Sequence, residues 1–296
     1  IESVRGDWET PGFAISIVKD DEVIFAKGYG VREAGKEGNV DEYTLFAVAS
    51  NTKAFTAALL GMLIEEGRLN WDDPVQNHIS GFAMFDPYVS KEMTIRDLLT
   101  HRSGLPVFGG DHLWIGGDFS RDEIIRRLRF FEPNAPFRAK YQYNNLMYLA
   151  AGEVYLAITG TSWDEAMQQR IFTPLGMKNS NTSIRGLEGE KNVAAPHEMV
   201  NGKLAAIPYD FLDNVAPAAA LNTNVIDMTR WMCLNLNSGV FEGKQLLNSE
   251  TVAEMHTIQM PRPISHFNKT EIGVKFSGYA LAVSYTHLTL PTSFLV

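Results

Sequence analysis

The chain has 296 residues, 45% apolar and 21% charged, enough to bury a core and in the range of soluble globular proteins. Its 35 acidic residues against 26 Lys and Arg leave a net charge of −9 with no basic stretch to offset it, which argues against nucleic acid and anionic membrane surfaces as partners. The longest apolar run, Ala57 to Ile64, falls far short of a transmembrane segment, and the lone Cys233 permits no internal disulfide.

Residues 12–20, GFAISIVKD, and 22–30, EVIFAKGYG, are β-branched, partly alternating runs that meet at Asp20-Asp21 and predict a hairpin. Gly28-Tyr29-Gly30 begins like a dinucleotide fingerprint, but Glu33 stands at the third glycine position and no helix follows, so a turn is the better reading. From residue 51 the apolar spacing becomes helical, predicting a helix over 51–66 stopped by Gly67. A short helix starts near Thr94 and ends at Gly104. Ser120-x-x-Glu123 and Ser162-x-x-Glu165 are capping boxes that open RDEIIRRLRFF and WDEAMQQRIF, the second stopped by Pro174. Between them NLMYLAAGEVYLAITG closes at Gly160. Asn224 caps VIDMTRWMCLNLN, Ser249 caps a final short helix, and a new strand starts near Phe276. The class is α+β: an antiparallel sheet built from both chain ends, with an inserted helical region.

Ser50-Asn51-Thr52-Lys53 lies where the strand-like run meets the first helix. A serine hydroxyl is a poor nucleophile until a base removes its proton. A lysine can be that base once burial or nearby positive charge lowers its pKa. Positions i and i+3 share a helix face, and a serine at a helix N-terminus meets N–H groups and the positive dipole end, which favour an oxyanion. Ser50 as a plain N-cap is the structural alternative. The pattern recurs at Ser16–Lys19, where strand alternation puts the two side chains on opposite faces. Tyr143-Asn144-Asn145 precedes the helix beginning near Leu146. It supplies a phenol able to relay a proton and an amide able to hold both lysine and substrate. Standing alone, it reads as a turn tyrosine with a capping asparagine.

Ser50-Asn-Thr-Lys53, DLLTHRSGLP (97–106) and Tyr143-x-Asn145, in that order, resemble the serine β-lactamase and penicillin-binding-protein-like hydrolases, above all their class C-type branch. PGFAISIVKDDEVIFAKGYG, IFTPLGMKNSNTS (171–183) and the stretch from Ala216 through Trp231 to QLLNSETVAEMHT extend the resemblance over residues 8–281. It implies Ser50 as acylated nucleophile, Lys53 as general base, Tyr143 as proton relay and Asn145 as a substrate-binding residue, with no metal and no cofactor. It also implies a small-molecule ester, amide or lactam substrate, with an esterase or peptidase-like activity favoured over a dedicated β-lactamase. An exported, periplasmic or cell-envelope location follows from the resemblance, although no signal peptide is visible before Ile1. His101 resembles a structural loop position, not a catalytic one.

The sequence departs from the family after Tyr143, where no Lys-Thr-Gly or His-x-Gly element follows. FSGYAL (276–281) resembles the strand leading toward that element, and the likeness stops at Ala282. VSYTHLTLPT (283–292) resembles a transposon-end sequencing adaptor translated in frame. On that resemblance residues 1–282 are a single β-lactamase-like domain truncated at both ends, and 283–296 a non-native tail. Missing C-terminal strands would leave unpaired sheet edges and a poorly active fragment prone to aggregate. A non-catalytic binding or sensor protein of the same fold is the competing reading, and retention of Ser50, Lys53, Tyr143 and Asn145 together weighs against it. A Ser-His-Asp hydrolase lacks its Gly-x-Ser-x-Gly elbow, and no His-Glu-x-x-His or Cys/His cluster points to a metal.

Overall fold

The computed structural model describes residues 2–287. Its N-terminal hairpin pairs Gly12–Lys19 with Glu22–Gly30 antiparallel, Gly12 opposite Gly30 and Lys19 opposite Glu22. The loop is Asp20-Asp21, at φ 50° and 65°. Two consecutive left-handed residues give the turn whose twist matches the strands, and aspartate tolerates that conformation better than most residues. Gly28-Tyr29-Gly30 completes the second strand and is not a turn. A Cβ on Gly28 would lie 2.3 Å from the Val40 carbonyl oxygen, so glycine here lets two backbones touch.

Two helices form the centre. The helix Thr52–Glu65 is apolar all round and buried along nearly its whole length, as a core helix must be. Its polar side chains are satisfied inside the core. Thr56 Oγ1 donates to the Pro217 carbonyl at 2.7 Å and accepts from Trp163 Nε1 at 3.0 Å, while the Leu221 N–H donates to Thr52 Oγ1 at 3.0 Å. The helix Asn145–Thr159 packs against it and ends at Gly160, whose φ of 74° is the left-handed cap glycine supplies most cheaply. Phe55 stacks on Trp231 with ring centroids 4.0 Å apart. That contact ties in the helix Val225–Leu236, which also packs against the first strand of the hairpin.

Most local signals hold. The short helix is Ile95–Leu99, opened by a capping box between Thr94 and Asp97, and it ends short of Gly104. Ser120 and Ser162 both cap, the second reciprocally with Glu165. Asn224 Oδ1 accepts from the Asp227 N–H at 2.7 Å. Pro174, however, stops nothing. The chain widens to π geometry over Met167–Phe172 and continues through Thr173–Leu175 to Gly176 at φ 67°. Where the i→i−4 pattern is already broken, proline has no such bond to forfeit, and the glycine ends the helix. The helix Ser249–His256 has Asn248 and not Ser249 at its N-cap, and it is not the final one, since the short helix His266–Thr270 follows.

The class is α+β, with antiparallel strands from both chain ends and helices between them. Phe276–Tyr279 pairs with Met260–Pro261 on one side and Ser284–His287 on the other. Among the described residues this sheet and the hairpin stay separate. The non-native reading of 283–296 falls largely outside the described residues. Among those described, no helix is long and apolar enough to cross a membrane, and no group of His, Cys, Asp and Glu is placed to hold a metal ion.

Candidate active site

The short strand Phe46–Ala47 pairs with Asn222–Thr223, and a 3-10 turn over Ala49–Asn51 then leads into the helix Thr52–Glu65. Ala49 makes the bend at φ 44°. A non-glycine residue held there costs about 1–2 kcal/mol, and the bend sets Ser50 at the mouth of the helix. One turn on, Lys53 is 1% exposed. Its Nζ lies 3.1 Å from Ser50 Oγ, 2.8 Å from Asn145 Oδ1 and 2.8 Å from the Ala218 carbonyl oxygen. The Tyr143 hydroxyl reaches Ser50 Oγ at 2.6 Å. Thus all four residues singled out in the sequence converge on one hydroxyl and one amine.

Electrostatics assigns the protons. Burial drives the Lys53 pKa from 10.5 down to about 7, opposed by the charge of Asp111. A neutral amine offers two N–H groups and one lone pair. The Ala218 carbonyl can only accept. Asn145 Oδ1 also accepts, because Asn145 Nδ2 is committed to Asp111 Oδ2 at 2.8 Å, which fixes the amide orientation. Both N–H groups are therefore taken, and the lone pair is left for the Ser50 proton. Burial raises the Tyr143 pKa; the Ser50 hydrogen bond opposes it. The phenol keeps its proton at neutral pH and donates to Ser50 Oγ.

His101 is a support. It is fully buried at φ 54°, and its Nδ1 accepts the Asn144 N–H at 3.1 Å. Its Nε2 therefore carries the proton and faces the Tyr279 hydroxyl at 3.1 Å. Its ring lies 4.2 Å from that of Tyr143, and burial holds its pKa well below the usual value. The sequence reading missed Asp111 and Ala218. Ala218 acts through a backbone carbonyl, which no motif marks, and Asp111 sits in GGDHLW without a recognisable pattern. The copy at Ser16–Lys19 lies on the first strand of the hairpin. Above Ser50 opens a cleft of about 660 Å³, with Tyr141, Met228, Trp231, Arg262 and Tyr279 among its walls.

The family model for Beta-lactamase matches residues 2–293. The unguisins hydrolase ungD′ of Aspergillus campestris is 31% identical over 236 residues, which is 76% of this chain and 43% of that protein. The protein flp of Staphylococcus aureus is 28% identical over 228 residues, 77% of this chain and 46% of that protein. The chain thus spans less than half the length of these curated relatives. Among solved structures, the octameric penicillin-binding protein homologue from Pyrococcus abyssi superposes with a TM-score of 0.82 at 26% identity, over 96% of this chain and 63% of that one. The D-amino acid amidase from Ochrobactrum anthropi shares the fold, with a TM-score of 0.78 at 21% identity over 97% of this chain and 77% of that one.

Proposed function

The chain belongs to the β-lactamase family, and from that premise we propose that it is a serine hydrolase working through an acyl-enzyme on Ser50. The observation that carries the reading is the Lys53 amine, buried, with acceptors for both N–H groups and Ser50 Oγ 3.1 Å from its nitrogen.

Lys53 takes the Ser50 proton as Oγ attacks the substrate carbonyl carbon. The new C–O bond forms and the carbonyl π pair moves onto oxygen. The Ser50 N–H, in the 3-10 turn that leads into the helix Thr52–Glu65, donates to that oxyanion, and the positive end of the helix dipole favours the charge. Collapse restores the carbonyl and expels the leaving group, which takes the phenolic proton of Tyr143. The Lys53 ammonium then returns its proton to the phenolate, which restores the neutral amine and the phenol. Water then cleaves the acyl-serine ester through the reverse transfers and releases the acid. One Asn145 Nδ2 hydrogen goes to Asp111, leaving the other to bind the acyl side of the substrate.

The substrate is a small ester, amide or lactam. The unguisins hydrolase, 31% identical, supports hydrolysis at a carbonyl that is not confined to lactams. The test is incubation with an aryl acetate, a D-alanyl amide and a cephalosporin, followed by intact-mass and peptide analysis. At least one should leave an acyl adduct on Ser50, and folded Ser50→Ala should show none. No adduct from any of them would favour the non-catalytic binding reading.

A further inference from the structure

We propose that Asp111 is a positioning residue of the acylation site, locking the Asn145 amide and holding a negative charge against the Lys53 amine. The inference rests on the serine-hydrolase reading for the activity it tunes, though not for the electrostatics it predicts.

The loop ahead of Asp111 is stitched to the Tyr143–Asn145 segment residue by residue. The Phe108 N–H donates to the Tyr143 carbonyl at 2.8 Å, Asn144 Nδ2 to the Gly109 carbonyl at 2.9 Å, and Asn145 Nδ2 to Asp111 Oδ2 at 2.8 Å. Gly110 makes the approach possible. Its φ is 87°, and a Cβ there would lie 2.5 Å from Leu146 Cδ1. The carboxylate so delivered is 8% exposed, with no ion pair of its own among the described residues. The Trp114 indole is turned toward it without closing a hydrogen bond.

A buried carboxylate is costly unless a charge or donors compensate it; burial raises the Asp111 pKa, opposed by its donors and by Lys53 when that amine is protonated. Besides Lys53, Asp111 faces Asn145, Trp114, His112 and Tyr143. Besides Asp111, Lys53 faces Ser50, the rings of Tyr143 and Tyr148 at 4.8 and 5.2 Å, and His101, which burial keeps neutral. Asp111 is thus the anion that offsets burial of the amine. It also decides which end of the Asn145 amide meets Lys53. With the amide reversed, a donor would face a donor and the lysine would lose one of its two acceptors.

Two variants separate these effects in the full chain. Asp111→Asn keeps the shape and an acceptor for Asn145 but removes the charge; Asp111→Ala removes both. The Lys53 titration is followed by 13C NMR of its Cε carbon, assigned by loss of the signal in Lys53→Met. Asp111→Asn should lower the Lys53 midpoint by about one pH unit. The acid limb of Ser50 acylation by an aryl acetate should move down with it. In Asp111→Ala the maximal acylation rate should also fall about tenfold or more, as the Asn145 amide loses its anchor. An unchanged Lys53 midpoint in folded Asp111→Asn overturns the proposal, whatever the activity does. A shifted midpoint in a chain that never acylates Ser50 upholds the electrostatics and sinks the hydrolase reading instead.

Discussion

Lys53 is protonated in the unfolded chain up to about pH 10.5 and, once buried beside Ser50, only below about 7. Between those values unfolding takes up a proton, so this group makes stability rise with pH, by up to about 1.4 kcal/mol per pH unit. The penalty is fully present below about 7 and absent above 10.5. Lys53→Met removes it. The unfolding free energy of the wild type relative to that variant should therefore climb between pH 7 and pH 10, measured in urea. A flat difference would contradict a depressed lysine. At this scale the sequence was informative where a particular side chain carries the proposed chemistry. Ser50, Lys53, Tyr143 and Asn145 put a hydroxyl, an amine, a phenol and an amide at a recognisable spacing, and the fold brings them together. Asp111 was illegible because its meaning lies in a hydrogen bond across 34 positions to Asn145, and Ala218 because any residue has a carbonyl.

The Ala218 carbonyl is placed by an element that depends on one glycine. The short helix Ala216–Ala219 lies so close to the helix Asn145–Thr159 that a Cβ on Gly152 would stand 2.3 Å from Pro217 Cγ, a ring atom with little freedom to move. In an open helix Gly→Ala gains about 0.5–1 kcal/mol. Here overpacking reverses the sign, and Gly152→Ala should lose about 1–3 kcal/mol in urea unfolding. It should also slow Ser50 acylation, because displacing Pro217 displaces the carbonyl that takes a Lys53 N–H. A variant as stable and as fast as wild type would show that Pro217 can give way to the added methyl. Element ends set by local chemistry, such as the Asn224 cap and Gly160, were legible in the sequence. The run through Pro174 was not, since its π turn is a departure from the i→i−4 pattern that apolar spacing cannot reveal.

In the whole molecule, burial is unequal. The helices Thr52–Glu65 and Asn145–Thr159 are interior, while the hairpin Gly12–Lys19 and Glu22–Gly30 has no third strand among the described residues and keeps Ile17, Val23 and Ile24 exposed. Amide exchange should accordingly be slowest in the two helices and orders of magnitude faster in the hairpin. Equal protection would mean the hairpin is covered in solution by something else. The α+β class was legible because both ends read as strands and the middle as helix. The division into separate small sheets was not, because periodicity identifies a strand and not its neighbours. What the assembled molecule is proposed to do reduces to one rate. The most direct measurement is the acylation of Ser50 by an aryl acetate as a function of pH, read by mass spectrometry at the Ser50 peptide. A single adduct on Ser50 is expected, its formation rising with pH around a midpoint near 7, where Lys53 loses its proton. An adduct on another residue, or a rate at Ser50 that ignores pH from 5 to 9, would contradict it.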